Sequence, residues 1–257
     1  MIHPTAVISP GARIGADVEI GPYSVIGERV SIGDGTRVGP HVVIEGPTTV
    51  GAGNKIFQFS SIGAIPQDLK FNMEETELII GDNNTFREFV TINRGTAGGG
   101  GKTAIGSNCL LMAYTHVAHD CLVGNGVIMA NNATLAGHIR IDDHAIVGGL
   151  SGVHQFVHIG SYAMIGGLSG VSKDVPPFTL AVGQRATLHG LNLTGLKRHG
   201  FSSAVISNLK AAYKLLFRSG LTIDEAVRQV DAGAAVCPQV RMLVDFVRHS
   251  ERGVSRE

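Results

Sequence analysis

The chain has no tryptophan, and of its 257 residues only 5% are aromatic and 16% charged. Its cysteines number three, Cys109, Cys121 and Cys237, an odd count without CxxC or other metal-ligand spacing. That speaks against a disulfide framework and for buried thiols in a reducing compartment. No stretch approaches the ~18 uninterrupted apolar residues of a membrane span, and the N-terminus lacks a basic start followed by an apolar run. The expected location is therefore cytoplasmic. Formal net charge is zero, so no overall basic surplus marks a nucleic-acid binder. The balance is uneven, with residues 1–171 acidic in excess and 172–257 basic by the same margin. A basic tail suits an acidic protein or phosphates, although charged helix surfaces also serve solvation alone.

Glycine, by contrast, is abundant, at 35 residues. Scattered, it would signal disorder, but here it is periodic. Aliphatic residues stand at a spacing of six from Ile2 to Ile62, many followed by glycine, as in Ile14-Gly15 and Ile32-Gly33. The phase breaks, returns at Ile80, Phe86 and Ile92, breaks again, and runs unbroken from Ile105 to Val171. A period of six fits neither a helix nor a lone alternating strand; it fits short strands meeting at corners. Each strand pairs with the one a coil away, at roughly 4.8 Å, with the aliphatic residue inward. The expected fold is all-β, a parallel β-helix over residues 1–175 with loop insertions at 64–79 and 95–104. Loops on such a frame are where function concentrates.

Residues 176–257 form a second region, an irregular segment followed by a C-terminal α-helical domain. Ser202 or Ser203 caps a helix that runs to Arg218 and closes at Gly220. Thr222-Ile223-Asp224-Glu225 has capping-box spacing for a second helix, and Pro238 opens a third. Helices here would cover the open edge of the solenoid.

If three hexads make one coil, residues eighteen apart stack in columns. His119, Gly137 and Gln155 then share a column, and Asp120 and His138 lie in the next. His154 sits a coil beyond His138, and His116 at the corner before Val117. His41, His144, His158 and His199 show no such clustering and read as surface or partner-satisfied residues. For the cluster, three readings stand: tolerated surface imidazoles, a metal site without companion cysteine or paired carboxylate, and acid–base chemistry. On the last, His119 is the candidate base, because Asp120 follows it and can fix its tautomer if a corner turns both to one side. Gly137 offers a backbone N–H as oxyanion donor, the group an acyl transfer needs. No GxSxG or Cys–His arrangement suggests a covalent intermediate. The run Gly98–Gly101 precedes a strand rather than opening a helix, so it reads as a flexible loop and not a phosphate cradle.

Several stretches carry a resemblance. Gln67-Asp68-Leu69-Lys70, His116-Val117-Ala118-His119-Asp120, the run Asn131 to His138, Val153-His154-Gln155-Phe156 and Gly195-Leu196-Lys197-Arg198, set in the repeat, resemble the UDP-N-acetylglucosamine O-acyltransferases. The resemblance spans essentially the whole chain. It implies a left-handed β-helix, an exception to the usual right-handed crossover, and a homotrimer with sites between subunits. It also implies transfer of an (R)-3-hydroxyacyl group from acyl carrier protein to the 3-hydroxyl of UDP-N-acetylglucosamine, the opening step of lipid A biosynthesis. His119 would be general base, Asp120 its orienting carboxylate and the Gly137 amide the oxyanion donor. Asp68, Lys70, His116, His138, His154 and Gln155 match sugar, phosphate and acyl contacts, and Gln67 matches the loop beside them. Asn192 and Arg198 match nucleotide or pantetheine contacts. The resemblance requires no metal or other cofactor.

Gly167 falls at the family's acyl-length ruler, where a glycine implies a long chain. Thr194 and His199 stand where the family's best-known members carry a glutamate and a second arginine, which puts nucleotide contacts there in question. Lys210, Lys214 and Arg218 make a basic stripe suited to the acidic carrier. The rival readings are a related N-acyltransferase, a coenzyme A acetyltransferase and a noncatalytic or metal-binding β-helix. The first typically adds an N-terminal nucleotide domain, which hexads beginning at Ile2 speak against.

Overall fold

The computed structural model describes residues 1–233 and 237–256, so Glu257, the end of the expected second region, lies outside them. Most hexads fold into a two-residue strand and a corner. In Leu122–Val123 and Arg140–Ile141 the first residue faces out and the second is buried. At most corners one residue takes a left-handed φ, as at Asp120, Asn132, His138 and His144, all near 60°. Such a residue costs roughly 1–2 kcal/mol, least for Asn and Asp. Parallel pairing with the coils on either side offsets the cost.

Among the described residues the strands form three sheets of nine, eight and ten strands. They are parallel except where Thr179–Val182 meets Thr187–Leu191. Val117 pairs with Leu135 and Leu135 with Val153, a register of eighteen. Across the first insertion Ile62 pairs with Ile92, and across the second Ile92 pairs with Val117. Both insertions are tighter than the phase breaks in the sequence, because Glu77–Ile80 and Lys102–Ile105 are already strands, paired with each other. The excursions are therefore residues 65–76 and 94–101. The coil also continues beyond Val175, which bridges to Ile159, and Thr179–Val182 pairs with Met164–Ile165. Pro176 and Pro177 occupy that last corner, where no ladder N–H is needed.

The inward aliphatics from Val18 to Leu188 form one continuous core. Each fully buried Ile or Leu contributes about 1.5–3 kcal/mol. Polar residues that face inward at corners are satisfied along the axis. The Asn84 amide donates to the carbonyls of Gly81 and Gly106 at 3.1 and 3.0 Å. Its Oδ1 accepts from the Cys109 N–H at 2.8 Å, and its own N–H donates to Asn54 Oδ1 at 2.9 Å. One residue, through its side chain and its backbone N–H, thus ties three coils together. Cys109 and Cys121 are buried, and burial pushes the Cys121 thiol up to about 12.

On another corner Tyr23, His41, Phe59, Phe89 and Tyr114 stack as a ladder, with centroids 5.2, 5.3, 5.0 and 4.7 Å apart. His41 is therefore a rung of an aromatic stack rather than an isolated surface residue. The helices are α1 (Leu193–Arg198), α2 (Ser203–Arg218), α3 (Ile223–Asp231) and α4 (Pro238–His249). Ser202 caps α2, and Thr222 with Glu225 closes a capping box on α3. The sequence reading had no counterpart for α1, a short helix capped by Asn192. Apolar faces of the helices form a second cluster around Phe178, while Tyr213 of α2 enters the β-helix core. No helix among the described residues is long and apolar enough to cross a membrane.

Replacing Asn84 with alanine would strand the Gly106 carbonyl and the Cys109 N–H in the interior, at roughly 2–4 kcal/mol. The thermal denaturation midpoint should drop by several degrees, and an unchanged midpoint would show that the ladder adds nothing.

Candidate active site

One sheet turns a run of outward residues into a floor. Thr91, His116, Thr134, Gly152 and Gly170 are paired in succession along it. From His116 onward side-chain bulk falls along this line, and a Cβ on Gly152 would meet nothing within 4 Å. A cleft of about 680 Å³ lies over the floor, bounded by Gln67 from the first excursion, by His119 and His154, and by Gln184 and Arg185.

His119 and Asp120 sit at the corner that follows His116–Val117. Because Asp120 has φ 60°, the chain folds back and neighbouring side chains meet instead of diverging. His119 Nδ1 lies 2.7 Å from Asp120 Oδ2, and the Asp120 side chain is fully buried. A carboxylate only accepts, so Nδ1 carries the proton and Nε2 keeps a lone pair for chemistry. The His119 ring covers Gly137, where a Cβ would fall 2.6 Å from Cε1 and 2.9 Å from Nε2. Only glycine fits there. Among the described residues the Gly137 N–H donates to no acceptor, which leaves it available beside that ring.

His138 stands edge-on to His119, with centroids 5.1 Å apart, and stacks on Phe156. Its Nδ1 is 3.7 Å from Asp120 Oδ2. His119, Asp120 and His138 present ligand atoms within 4.8 Å of one another. Both Asp120 oxygens already accept hydrogen bonds, however, Oδ1 from the Thr96 N–H at 2.8 Å and Oδ2 from the Thr96 hydroxyl at 2.6 Å. A cation would have to compete with those donors. Burial, then the neighbouring His119, holds the His116 imidazole below its ordinary pKa, and the ring pairs with Thr91 Oγ1 at 2.7 Å. His154 Nδ1 lies 3.1 Å from the carbonyl of Gln155, which can only accept, so this Nε2 is also bare.

The cleft of one chain thus gathers Gln67, His116, His119, Gly137 and His154, with Asp120 and His138 beside them. It does not gather Asp68, Lys70, Gln155, Asn192, Arg198 or Gly167. Asp68 Oδ1 accepts from the Lys70 N–H at 2.9 Å within its own loop, and Gln155 is exposed at the corner. Asn192 spends its amide on α1 and on the Tyr162 carbonyl. Arg198 is exposed at the end of α1, and Gly167 turns a different corner, against Gly149. Lys210, Lys214 and Arg218 line a separate groove of about 410 Å³ with His189 and Tyr213. Sequence reasoning missed Gln184, Arg185, Gly152 and Gly170. Counting eighteen from Thr134 finds both glycines; nothing in the repeat finds Gln184 or Arg185, because they come from a turn after it.

Two histidines read as isolated are a pair. The rings of His144 and His199 lie 5.0 Å apart, and both contact Tyr162. Burial and His144 hold His199 below its ordinary pKa, so this position offers a ring rather than a fixed cation. His158, by contrast, is partner-satisfied, 2.8 Å from Asp142.

Known proteins share this arrangement. The family described as Udp N-acetylglucosamine O-acyltransferase, Domain 2, matches residues 174–255, and the bacterial transferase hexapeptide repeat matches residues 102–137. An acyl-[acyl-carrier-protein]–UDP-N-acetylglucosamine O-acyltransferase of Thiobacillus denitrificans is 56% identical over 255 residues, 99% of each chain. The chain belongs to the UDP-N-acetylglucosamine O-acyltransferase family. A Burkholderia vietnamiensis member is 54% identical over 99% of each chain. Among solved structures, family members from Acinetobacter baumannii and Bacteroides fragilis superpose with TM-scores of 0.97 and 0.98. They share 50% and 46% identity and are covered over 99% and 100% of both chains. The protein is an acyltransferase, and its β-helix winds left-handed, as the family's does.

The lowered His116 pKa has a defined sign. The folded state favours neutral His116, so the group supports folding fully above its unfolded pKa, near 6.5, and loses that support as pH falls through the folded value. Between about pH 7 and about pH 5, His116→Gln should therefore lose less thermal stability than the parent. Equal losses would contradict the assignment.

Proposed function

We propose that this family member transfers an (R)-3-hydroxyacyl group from acyl carrier protein to the 3-hydroxyl of UDP-N-acetylglucosamine, opening lipid A biosynthesis. The observation that carries the reading is the His119–Asp120 pair set over Gly137 at the edge of the cleft. Relatives over half identical bear the matching name. His119 Nε2 removes the proton of the sugar 3-hydroxyl, and the oxygen attacks the thioester carbonyl. Charge gathers on the former carbonyl oxygen, which the Gly137 N–H meets. Collapse expels the pantetheine thiolate, which takes the proton back from the imidazolium.

Asp120 orients and stabilises that imidazolium, His116 and His154 line the path of acceptor or acyl chain, and His138 and Gln155 border it. The floor that falls from His116 to Gly170 gives the acyl chain a groove. Asp68, Lys70, Asn192, Arg198 and the length ruler Gly167 act on this reading from a neighbouring copy. A homotrimer with shared sites accounts for their distance from the cleft of one chain. The reaction moves a proton and an acyl group and uses no metal or further cofactor beyond the carrier's own prosthetic arm. A carrier-protein substrate and two buried free thiols fit a cytoplasmic location.

The test is transfer itself, with (R)-3-hydroxyacyl carrier protein and UDP-N-acetylglucosamine. The ester product should form, a chelator should leave the rate unchanged, and His119→Ala should lower kcat roughly 10²–10⁴-fold. Full activity without His119 would end the general-base reading, and transfer only to an amine-bearing sugar would revise the acceptor. For carrier docking, Lys210→Glu with Lys214→Glu should raise KM for the carrier, with an effect that shrinks as salt rises. An unchanged KM would remove the stripe from the account.

A further inference from the structure

The second excursion closes on the buried carboxylate of the His119–Asp120 pair. Thr96 opens a short 3-10 turn, Ala97–Gly99, and its hydroxyl accepts from the Gly99 N–H at 3.2 Å while donating to Asp120 Oδ2 at 2.6 Å. The Thr96 N–H donates to Asp120 Oδ1 at 2.8 Å. Both oxygens of one carboxylate are therefore held by one residue, twenty-four positions earlier in the chain. From the other side, the Asp120 N–H donates to Thr103 Oγ1 at 2.8 Å, where the excursion rejoins the sheet.

Gly99 completes the enclosure. Its Cα lies so close to Asp120 that a Cβ would overlap the carboxylate, and no shift of a flexible side-chain end relieves that overlap, because the carboxylate is fixed on three sides. The glycine run is thus a fitted surface at Gly99 rather than only a flexible loop. The base of the excursion is itself tied down. Asn93 donates to the Ile65 carbonyl at 3.0 Å, and Arg94 donates to the Gly46 carbonyl at 3.0 Å while its guanidinium lies 5.7 Å from the Phe71 ring.

We infer that Thr96 is a positioning residue for the reaction: its hydroxyl and amide hold Asp120 in the one rotamer that points Oδ2 at His119 Nδ1, so that Nε2 faces the cleft unprotonated. This rests on the proposed base role of His119. Asp120 sits at a left-handed corner, and its side chain needs anchors that the corner does not supply. The amide of Thr96 fixes one oxygen; the hydroxyl fixes the rotation about the other. Removing the hydroxyl leaves Oδ2 with His119 as its only close donor, and the pair is then free to turn together away from Gly137.

A double-mutant cycle tests this in the full-length enzyme. Thr96→Val should lower kcat roughly 10- to 100-fold, with KM for both substrates little changed. Thr96→Ser, which keeps the hydroxyl, should restore most of it. In an Asp120→Asn background, Thr96→Val should cost almost nothing more, because the group it acts through is already gone. If Thr96→Val is insoluble, Thr96→Ala enters the same cycle. An equal loss in both backgrounds, a loss confined to KM, or failure of serine to rescue would overturn the inference while leaving the His119 reading intact. A fully active Asp120→Asn enzyme would instead overturn the pair itself.

Discussion

The structure depends on a register that cannot slip. Each inward aliphatic is stacked between its counterparts on neighbouring coils, and moving the chain by one residue would turn that column outward. The two excursions show how strictly this is kept. Ile62 pairs with Ile92 and Ile92 with Val117, so chain is added between coils but the phase returns before the next inward position. Extra residues are confined to corners, where they cost loop entropy and little else. That confinement places Gln67 and Thr96 beside the same cleft, one at its mouth and one behind its carboxylate.

Corners also do chemical work that strands cannot. On a strand, residues 119 and 120 would face opposite sides; the left-handed conformation at Asp120 brings them together at 2.7 Å. The same backbone geometry elsewhere carries Tyr23, His41, Phe59 and Phe89 in a plain stack of rings. The conformation is thus a general property of the coil, and the residues placed on it decide whether the corner stacks, caps or reacts.

Much of this was legible from spacing. Arithmetic of eighteen put His119 under Gly137, while the pairing of His119 with Asp120 hung on a corner that the structure supplies. The family resemblance, not the spacing, supplied the handedness and the expectation of a trimer. Three things escaped for a common reason, that they lie outside the repeat: the turn carrying Arg185, the short helix α1 that seats His199 against His144, and the clamp from Thr96. The glycine run read as slack because a sequence does not show what a glycine touches. At Gly99 the contact is a carboxylate, and at Gly137 it is an imidazole.

Two imidazoles, His119 and His138, lie beside a single carboxylate, with His116 next to His119, and their environments sort them. Burial, then His119, holds the His116 imidazole below its ordinary pKa, and its ring is engaged by Thr91. His138 stands 3.7 Å from the shared oxygen and stacks on Phe156, whereas His119 holds the short bond. On the proposed mechanism only one proton enters this group during turnover, and one negative charge is available to receive it. The proposed mechanism assigns that proton to the ring that makes the short hydrogen bond to Asp120. On that reading, the sharing of the carboxylate supports the proposed general-base role of His119 alongside its position in the cleft.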